Sequence, residues 1–316
     1  MKIAFVFPGQ GSQSVGMLDS FRDNAAVQSI VTRASSALGQ NIGALTDSGP
    51  AEELNLTVNT QPVLLTAGYA IYAAWRAAGG AEPLIVAGHS LGEYTALVAA
   101  GALELEDAVR LVRFRAQSMQ DAVPVGVGSM AVILGLADEA VQQACNEAAQ
   151  GEVVEPVNFN APSQVVIAGH SSAVQRACEV AKRLGAKRAV PLSVSAPFHS
   201  SLLQPASDRL RERLAQATLK KPRIDLINNV DVSIESEPAK ITDALARQAA
   251  RPVRWADTVR KMNDLGVTYV VECGPGRVLS GLTKRIAPSL ESLVVNDTAT
   301  LASTLAALEM RTSSNR

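Results

Sequence analysis

Three short apolar runs in this chain each end in a glycine turn that opens onto a helical pattern, and this repeated unit points to a parallel sheet covered by helices. Lys2–Phe7 runs into Pro8-Gly9-Gln10-Gly11. Pro83–Gly88 runs into Ser90 and the helical stretch Leu91–Ala100. Val267–Glu272 ends at Gly274-Pro275-Gly276 and feeds Val278–Ile286. Functional sites of such open α/β sheets collect beyond the carboxyl ends of the strands, where these turns lie.

The middle of the chain follows a different order. Ser129–Leu136 is strand-like, Asp138–Ala149 helical, and Val153–Asn158 and Gln164–Ala168 strand-like. Ser171–Leu184 is then helical and Lys187–Ser195 strand-like. That β-α-β-β-α-β succession is the ferredoxin-like split unit. A chain of 316 residues suggests about two structural units. The expected division is an α/β core built from residues 1–123 and 196–316, with a ferredoxin-like subdomain at 124–195 inserted into it.

Composition removes several function classes. With 47% hydrophobic and 19% charged residues there is ample material for a core. A formal charge of −1 and scattered charges give no electrostatic footprint for nucleic acid or an anionic membrane. Pro8 and Gly9 cut the apolar N-terminus too short for a signal-peptide core, and no run approaches the ~18–20 apolar residues of a membrane span. Cys145, Cys178 and Cys273 lack disulfide or zinc spacing, and His89, His170 and His199 are dispersed. The expectation is a cytoplasmic protein without a metal.

Gly88-His89-Ser90-Leu91-Gly92 fits Gly-x-Ser-x-Gly, a weak motif on its own. Here it follows the apolar Leu84-Ile85-Val86-Ala87 and opens a helix, the context a nucleophile elbow requires. Such a turn exposes the Ser90 hydroxyl and points the Leu91 N–H at a developing oxyanion, aided by the helix N-terminus. The competing reading is an ordinary strand–turn–helix corner with an incidental serine. A serine nucleophile needs a base. His89 is adjacent, and adjacent side chains at an elbow diverge; His170 falls at the end of a subdomain strand. By elimination the base is His199, in Ser195-Ala196-Pro197-Phe198-His199-Ser200, unless that residue is only a loop histidine.

On the helix from about Glu106 to Ala122, Ala108, Leu111, Val112, Met119 and Ala122 form an apolar stripe. Arg115 sits within it, whereas Arg110, Arg113, Gln117 and Asp121 fall on the wet side. A guanidinium on a buried face is costly unless an anion meets it. Two partners fit: an internal Asp or Glu, or the carboxylate of a dicarboxylic acyl group, held by paired hydrogen bonds.

Together the residues resemble one family, the malonyl-CoA:acyl carrier protein transacylases of fatty acid synthesis, nearly from end to end. The resemblance is carried by Phe7-Pro8-Gly9-Gln10-Gly11-Ser12-Gln13, Asn59-Thr60-Gln61-Pro62 and Gly88-His89-Ser90-Leu91-Gly92-Glu93-Tyr94. It continues in Arg115 with Met119-Gln120, Pro156-Val157-Asn158-Phe159-Asn160, Asn228-Asn229-Val230 and Gly274-Pro275-Gly276. It implies an α/β-hydrolase-like core with the ferredoxin-like insertion. It further implies Ser90 as the acylated nucleophile and His199 as its base, oriented by the backbone carbonyl of Gln248. The backbone N–H groups of Gln10 and Leu91 would form the oxyanion hole, and Arg115, Met119 and Phe198 would contact the acyl group.

By the same resemblance the substrate is malonyl-CoA, the acceptor is the phosphopantetheine thiol of acyl carrier protein, and no cofactor is permanently bound. Ala116 replaces a glycine common in the family, adding a methyl beside the site. Phe198 matches the malonyl-selective form, where a bulky ring crowds the α-carbon. Three other readings stay open: a trans-acting acyltransferase of a polyketide synthase, an acyl hydrolase, and a non-catalytic carrier-docking protein. Lys187, Arg188, Arg277, Lys284 and Arg285 are candidates for meeting an acidic carrier.

Overall fold

Every residue of β1 (Ile3–Phe7) and β2 (Ile85–Gly88) is buried, as continuous apolar runs demand of strands covered on both faces. The structure, a computed structural model, describes residues 1–314. The chain continues through β3 (Gly128–Leu134), β4 (Val154–Ala161), β5 (Gln164–His170) and β6 (Arg188–Pro191). It then forms β7 (Asp225–Ile227), β8 (Tyr269–Cys273) and β9 (Glu291–Val295).

The first sheet is parallel throughout, in the order β7-β2-β1-β8-β9. Phe7 pairs with Gly88 at the carboxyl ends of β1 and β2, so the Pro8–Gly11 turn lies beside the turn that carries Ser90. The edge strands have no counterpart among the apolar runs of the sequence. Asp225–Ile227 is only three residues long, and Glu291–Val295 is half-buried over its first four positions. Neither offers the continuous apolar run that marks a central strand.

The helix Thr57–Ala77 is buried over most of its circumference, with Asn59, Thr60 and Gln61 buried among its apolar residues. It packs against the helix Leu105–Asp121. Glu106 and Asp107 occupy the first turn of that second helix, where negative charge meets the positive end of its dipole.

The second sheet is antiparallel, in the order β4-β5-β3-β6, the ferredoxin-like arrangement. One face carries the helices Asp138–Ala149 and Ser171–Arg183 over Ile133, Val141, Val165, Ile167 and Val174. Each such fully buried aliphatic side chain contributes about 1.5–3 kcal/mol. The other face sends Met130, Val157, Val166 and Ala168 into the main core. Backbone hydrogen bonds join the two parts: Phe159 N–H donates to Val253 O at 3.0 Å, and Val253 N–H to Val157 O at 2.8 Å. The strand expected at Lys187–Ser195 is regular only over Arg188–Pro191. Leu192 N–H still reaches Met130 O at 2.9 Å, but Val194 N–H turns back to Leu192 O, ending the ladder. Among the described residues, no helix is long and apolar enough to cross a membrane.

Candidate active site

Ser90 sits between β2 and the helix Gly92–Ala99 with φ of 53°, a left-handed backbone that a non-glycine residue adopts only when its surroundings enforce it. A Cβ on Gly88 would lie 1.8 Å from Gly92 C, and one on Gly92 would lie 2.1 Å from Phe7 O. Both positions therefore require glycine. Asn229, just beyond β7, clamps the turn: its Oδ1 accepts from Ser90 N–H at 2.7 Å and its Nδ2 donates to Gly88 O at 2.7 Å. The Ser90 N–H is thereby occupied by a side chain and is not available to a ligand.

The Ser90 hydroxyl lies 2.7 Å from His199 Nε2, and His199 Nδ1 lies 2.7 Å from Gln248 O. A backbone carbonyl only accepts, so Nδ1 carries the proton and Nε2 presents its lone pair to the serine. His199 is 4% exposed and has φ of 66°, in the turn closed by Ser200 Oγ on Pro197 O. Burial, reinforced by the positive charge of Arg115, depresses its pKa to about 3. The imidazole is therefore neutral at physiological pH, the state a proton acceptor needs.

Arg115 is 1% exposed and stands over the Tyr94 ring, 5.3 Å from its centroid. Its Nη1 donates to Gln61 Oε1 at 2.8 Å; its Nη2 donates to Gln248 Oε1 at 2.8 Å and to the Ser90 hydroxyl at 3.0 Å. These acceptors are all neutral, and the buried Nε has no partner. Burial pulls the guanidinium pKa down while Tyr94 and Glu93 push it back up. Glu93, 1% exposed behind Gln248, accepts from Gln248 Nε2 at 2.8 Å and from Asn229 N–H at 3.0 Å. Burial pushes its carboxyl up to about 7 against those donors and the Arg115 charge.

Ser90, His199, Arg115, Met119, Phe198 and Leu91 line one pocket, and Gln10 lines it from the turn after β1. The second sheet contributes Met130 and Asn158, with Leu192 and Val194 from the segment after β6. The buried Asn158 Oδ1 has no hydrogen-bond partner. Gln61, Glu93 and Asn229 join the site through hydrogen bonds that their sequence positions do not announce. Beyond their membership of the motifs that carry the family resemblance, their sequence signal is polar identity in apolar or turn surroundings, with Asn59-Thr60-Gln61-Pro62 in an otherwise buried helix the clearest case. His89 points away from Ser90, bonding Asn160 Oδ1 at 2.8 Å beside the Trp255 ring. His170 Nδ1 accepts from Val153 N–H at 2.9 Å, within the second sheet. Among the described residues, no group of three or more His, Cys, Asp or Glu side chains could hold a metal ion.

A parallel sheet presenting a serine elbow, with a buried histidine 2.7 Å from the hydroxyl, defines a protein built for serine acyl chemistry, and the chain belongs to the acyl transferase domain family, whose model matches residues 4–304. Within it the chain falls among the malonyl CoA-acyl carrier protein transacylases. It is 52% identical over 305 residues to the enzyme of that name from Escherichia coli (strain K12), covering 96% of this chain and 99% of the relative. The crystal structure of an acyl-carrier-protein S-malonyltransferase from Burkholderia pseudomallei 1710b superposes with a TM-score of 0.96 at 64% identity, covering 97% of this chain and 100% of the other. A malonyl-transacylase solved in complex with a type II PKS acyl-carrier protein superposes with a TM-score of 0.95 at 50% identity, covering 97% of this chain and 99% of the other.

Proposed function

We propose that this enzyme moves a malonyl group from malonyl-CoA to the phosphopantetheine thiol of acyl carrier protein, in two steps through Ser90. The single observation that carries the reading is the hydroxyl of Ser90 held between His199 Nε2 at 2.7 Å and Arg115 Nη2 at 3.0 Å. The first contact supplies a base for acyl transfer, and the second places a cation beside the acyl carbon's substituents.

In the first half-reaction the Ser90 proton passes to His199 Nε2 as Oγ bonds to the thioester carbonyl carbon. The carbonyl oxygen takes the negative charge, facing the N–H groups of Leu91 and Gln10. The C–S bond then breaks, and the leaving coenzyme A thiolate takes the proton from His199. In the second half, the carrier thiol gives its proton to His199 and its sulfur attacks the ester, and the proton returns to Ser90 as the C–O bond breaks. Gln248 O holds the imidazole where many hydrolases use an aspartate. Arg115 grips the malonyl carboxylate and orients the acyl group, with Phe198 and Met119 as the apolar walls beside it.

Segments 1–123 and 196–316 supply the nucleophile, base and arginine, while 124–195 supplies Met130, Asn158, Leu192 and Val194 to the pocket wall. The pathway served is fatty acid elongation. A second reading, supply of a polyketide carrier, has specific support in the likeness to the transacylase solved with a type II PKS carrier. Transfer rates to fatty acid and polyketide carriers, with release of free malonate measured alongside, test both. Rapid transfer to the fatty acid carrier with little hydrolysis supports the first reading. Preference for the polyketide carrier supports the second, and hydrolysis outpacing both overturns transfer.

A further inference from the structure

The side-chain amide of Gln248 is fully committed and entirely buried. Its Oε1 accepts from Arg115 Nη2 at 2.8 Å, and its Nε2 donates to Ser90 O at 3.0 Å and Glu93 Oε2 at 2.8 Å. Turning this amide over would set its oxygen against two acceptor oxygens and its NH2 against a guanidinium. The two acceptors thus fix which end meets Arg115. One is a backbone carbonyl fixed by the elbow. The other, Glu93, is a buried carboxyl in the first turn of the helix after Ser90, steadied by the Asn229 N–H at 3.0 Å. A carboxyl in such a place is costly and needs a reason to be there.

We propose that Glu93 is a positioning residue for acyl selection: it fixes the Gln248 amide, and that amide holds the Arg115 guanidinium at the Ser90 hydroxyl. The inference rests on the reading of Arg115 as the group that grips the acyl carboxylate. Without an acceptor at position 93, only Ser90 O at 3.0 Å and the more distant Asn229 Oδ1 at 3.5 Å oppose turning the amide, and a turned amide sets its NH2 toward Arg115 and displaces the guanidinium. A neutral acyl group needs no guanidinium, so the damage falls on charged acyl groups. The His199 orientation survives, because Gln248 holds it through its backbone oxygen.

The test measures Ser90 acylation by malonyl-CoA and by acetyl-CoA in wild type, Glu93→Ala, Glu93→Gln, Gln248→Leu and Arg115→Ala, with circular dichroism to verify folding. The malonyl-to-acetyl rate ratio should fall roughly tenfold or more in Glu93→Ala and Gln248→Leu, the scale of one lost hydrogen bond to a charged group. Glu93→Gln, whose carboxamide oxygen accepts the same two bonds, should restore the ratio. Should Glu93→Ala fail to fold, Gln248→Leu tests the link from its other end. An unchanged ratio in folded Gln248→Leu or Glu93→Ala, while Arg115→Ala loses it, overturns the proposal alone. A ratio unchanged in Arg115→Ala overturns the reading of Arg115 as well.

Discussion

Arg115 Nη2 donates to the Ser90 hydroxyl across 3.0 Å, so a buried cation touches the proposed nucleophile itself. Because that bond uses a lone pair of Oγ, the hydroxyl proton is directed to His199 Nε2 at 2.7 Å. In the proposed reaction, acyl selection and nucleophile activation would therefore share one atom. A substrate carboxylate would in that reaction recruit the guanidinium at the place where the new ester bond forms.

Removing that cation should be felt mainly by dicarboxylic acyl groups. Truncating one partner of a buried, hydrogen-bonded charge pair costs about 2–5 kcal/mol. Arg115→Ala should thus slow acylation by malonyl-CoA by roughly 30-fold or more, with a smaller effect on acetyl-CoA. Arg115→Lys should restore only part of the loss, since an ammonium cannot reproduce the planar fork that reaches Gln61 and Gln248 together. Single-turnover acylation rates with the two thioesters check both.

The pH profile should carry the mark of a depressed histidine. Burial and then Arg115 hold the His199 pKa at about 3, so the base stays unprotonated through the range where an ordinary histidine is lost. Ser90 acylation should stay flat as pH falls from about 7 to about 5, where a histidine of pKa ≈ 6.5 would already be mostly protonated. Arg115→Ala removes the second cause, so its acid limb should move upward. A wild-type midpoint near 6.5 would contradict the assignment.

Stability should show two opposed pH dependences. The folded pKa of His199 lies below its unfolded value of 6.5, so the unfolded chain takes up a proton first and stability is lost as pH falls below about 6.5. The carboxyl of Glu93 lies at about 7, above its unfolded value of 4.5, so the folded protein holds that proton longer and stability falls as pH rises between those values. Glu93→Gln removes only the second dependence. The Tm of this variant relative to wild type should therefore be more favourable at about pH 8 than at about pH 5. Thermal melts at the two pH values check the sign.

Carrier docking should be separable from acylation. Lys187 and Arg188 are exposed on the segment that runs through β6 to the pocket-lining Leu192 and Val194. Arg285, by contrast, is engaged with Gln164 and with Pro162 O, binding its helix to the β4–β5 turn. Reversing the charges at 187 and 188 should raise the KM for an acidic carrier while sparing acylation by malonyl-CoA. Equal loss in both half-reactions would refute a docking role.

Much of this architecture is legible in the sequence because its signals are local. The central strands are uninterrupted apolar runs, Asp138–Ala149 and Val278–Ile286 match their periodic patterns end to end, and the β-α-β-β-α-β order emerges from alternating periods. The edge strands β7 and β9 are short or half-exposed and lack that signal. At the site, Ser90 is marked by its turn and Arg115 by a charge on an apolar stripe, both features of a single segment. The connections of Glu93, Gln61 and Asn229 depend on residues 54 to 155 positions away in the chain, and only the tertiary fold supplies them. Arg113, expected on the wet side, is half-buried and bonded to Gln40 in the bend after the helix Ala25–Leu38, a long-range contact that periodicity cannot encode.

Intact-mass measurement after mixing with malonyl-CoA tests the central claim most directly. Wild type should gain one malonyl group, mapped by peptide sequencing to Ser90, and lose it when carrier thiol is added. Ser90→Ala should gain none, and His199→Ala should gain it roughly 10²–10⁴-fold more slowly, the usual contribution of a positioned general base. Malonyl found on Ser90→Ala, or on another residue of the wild type, would contradict the account.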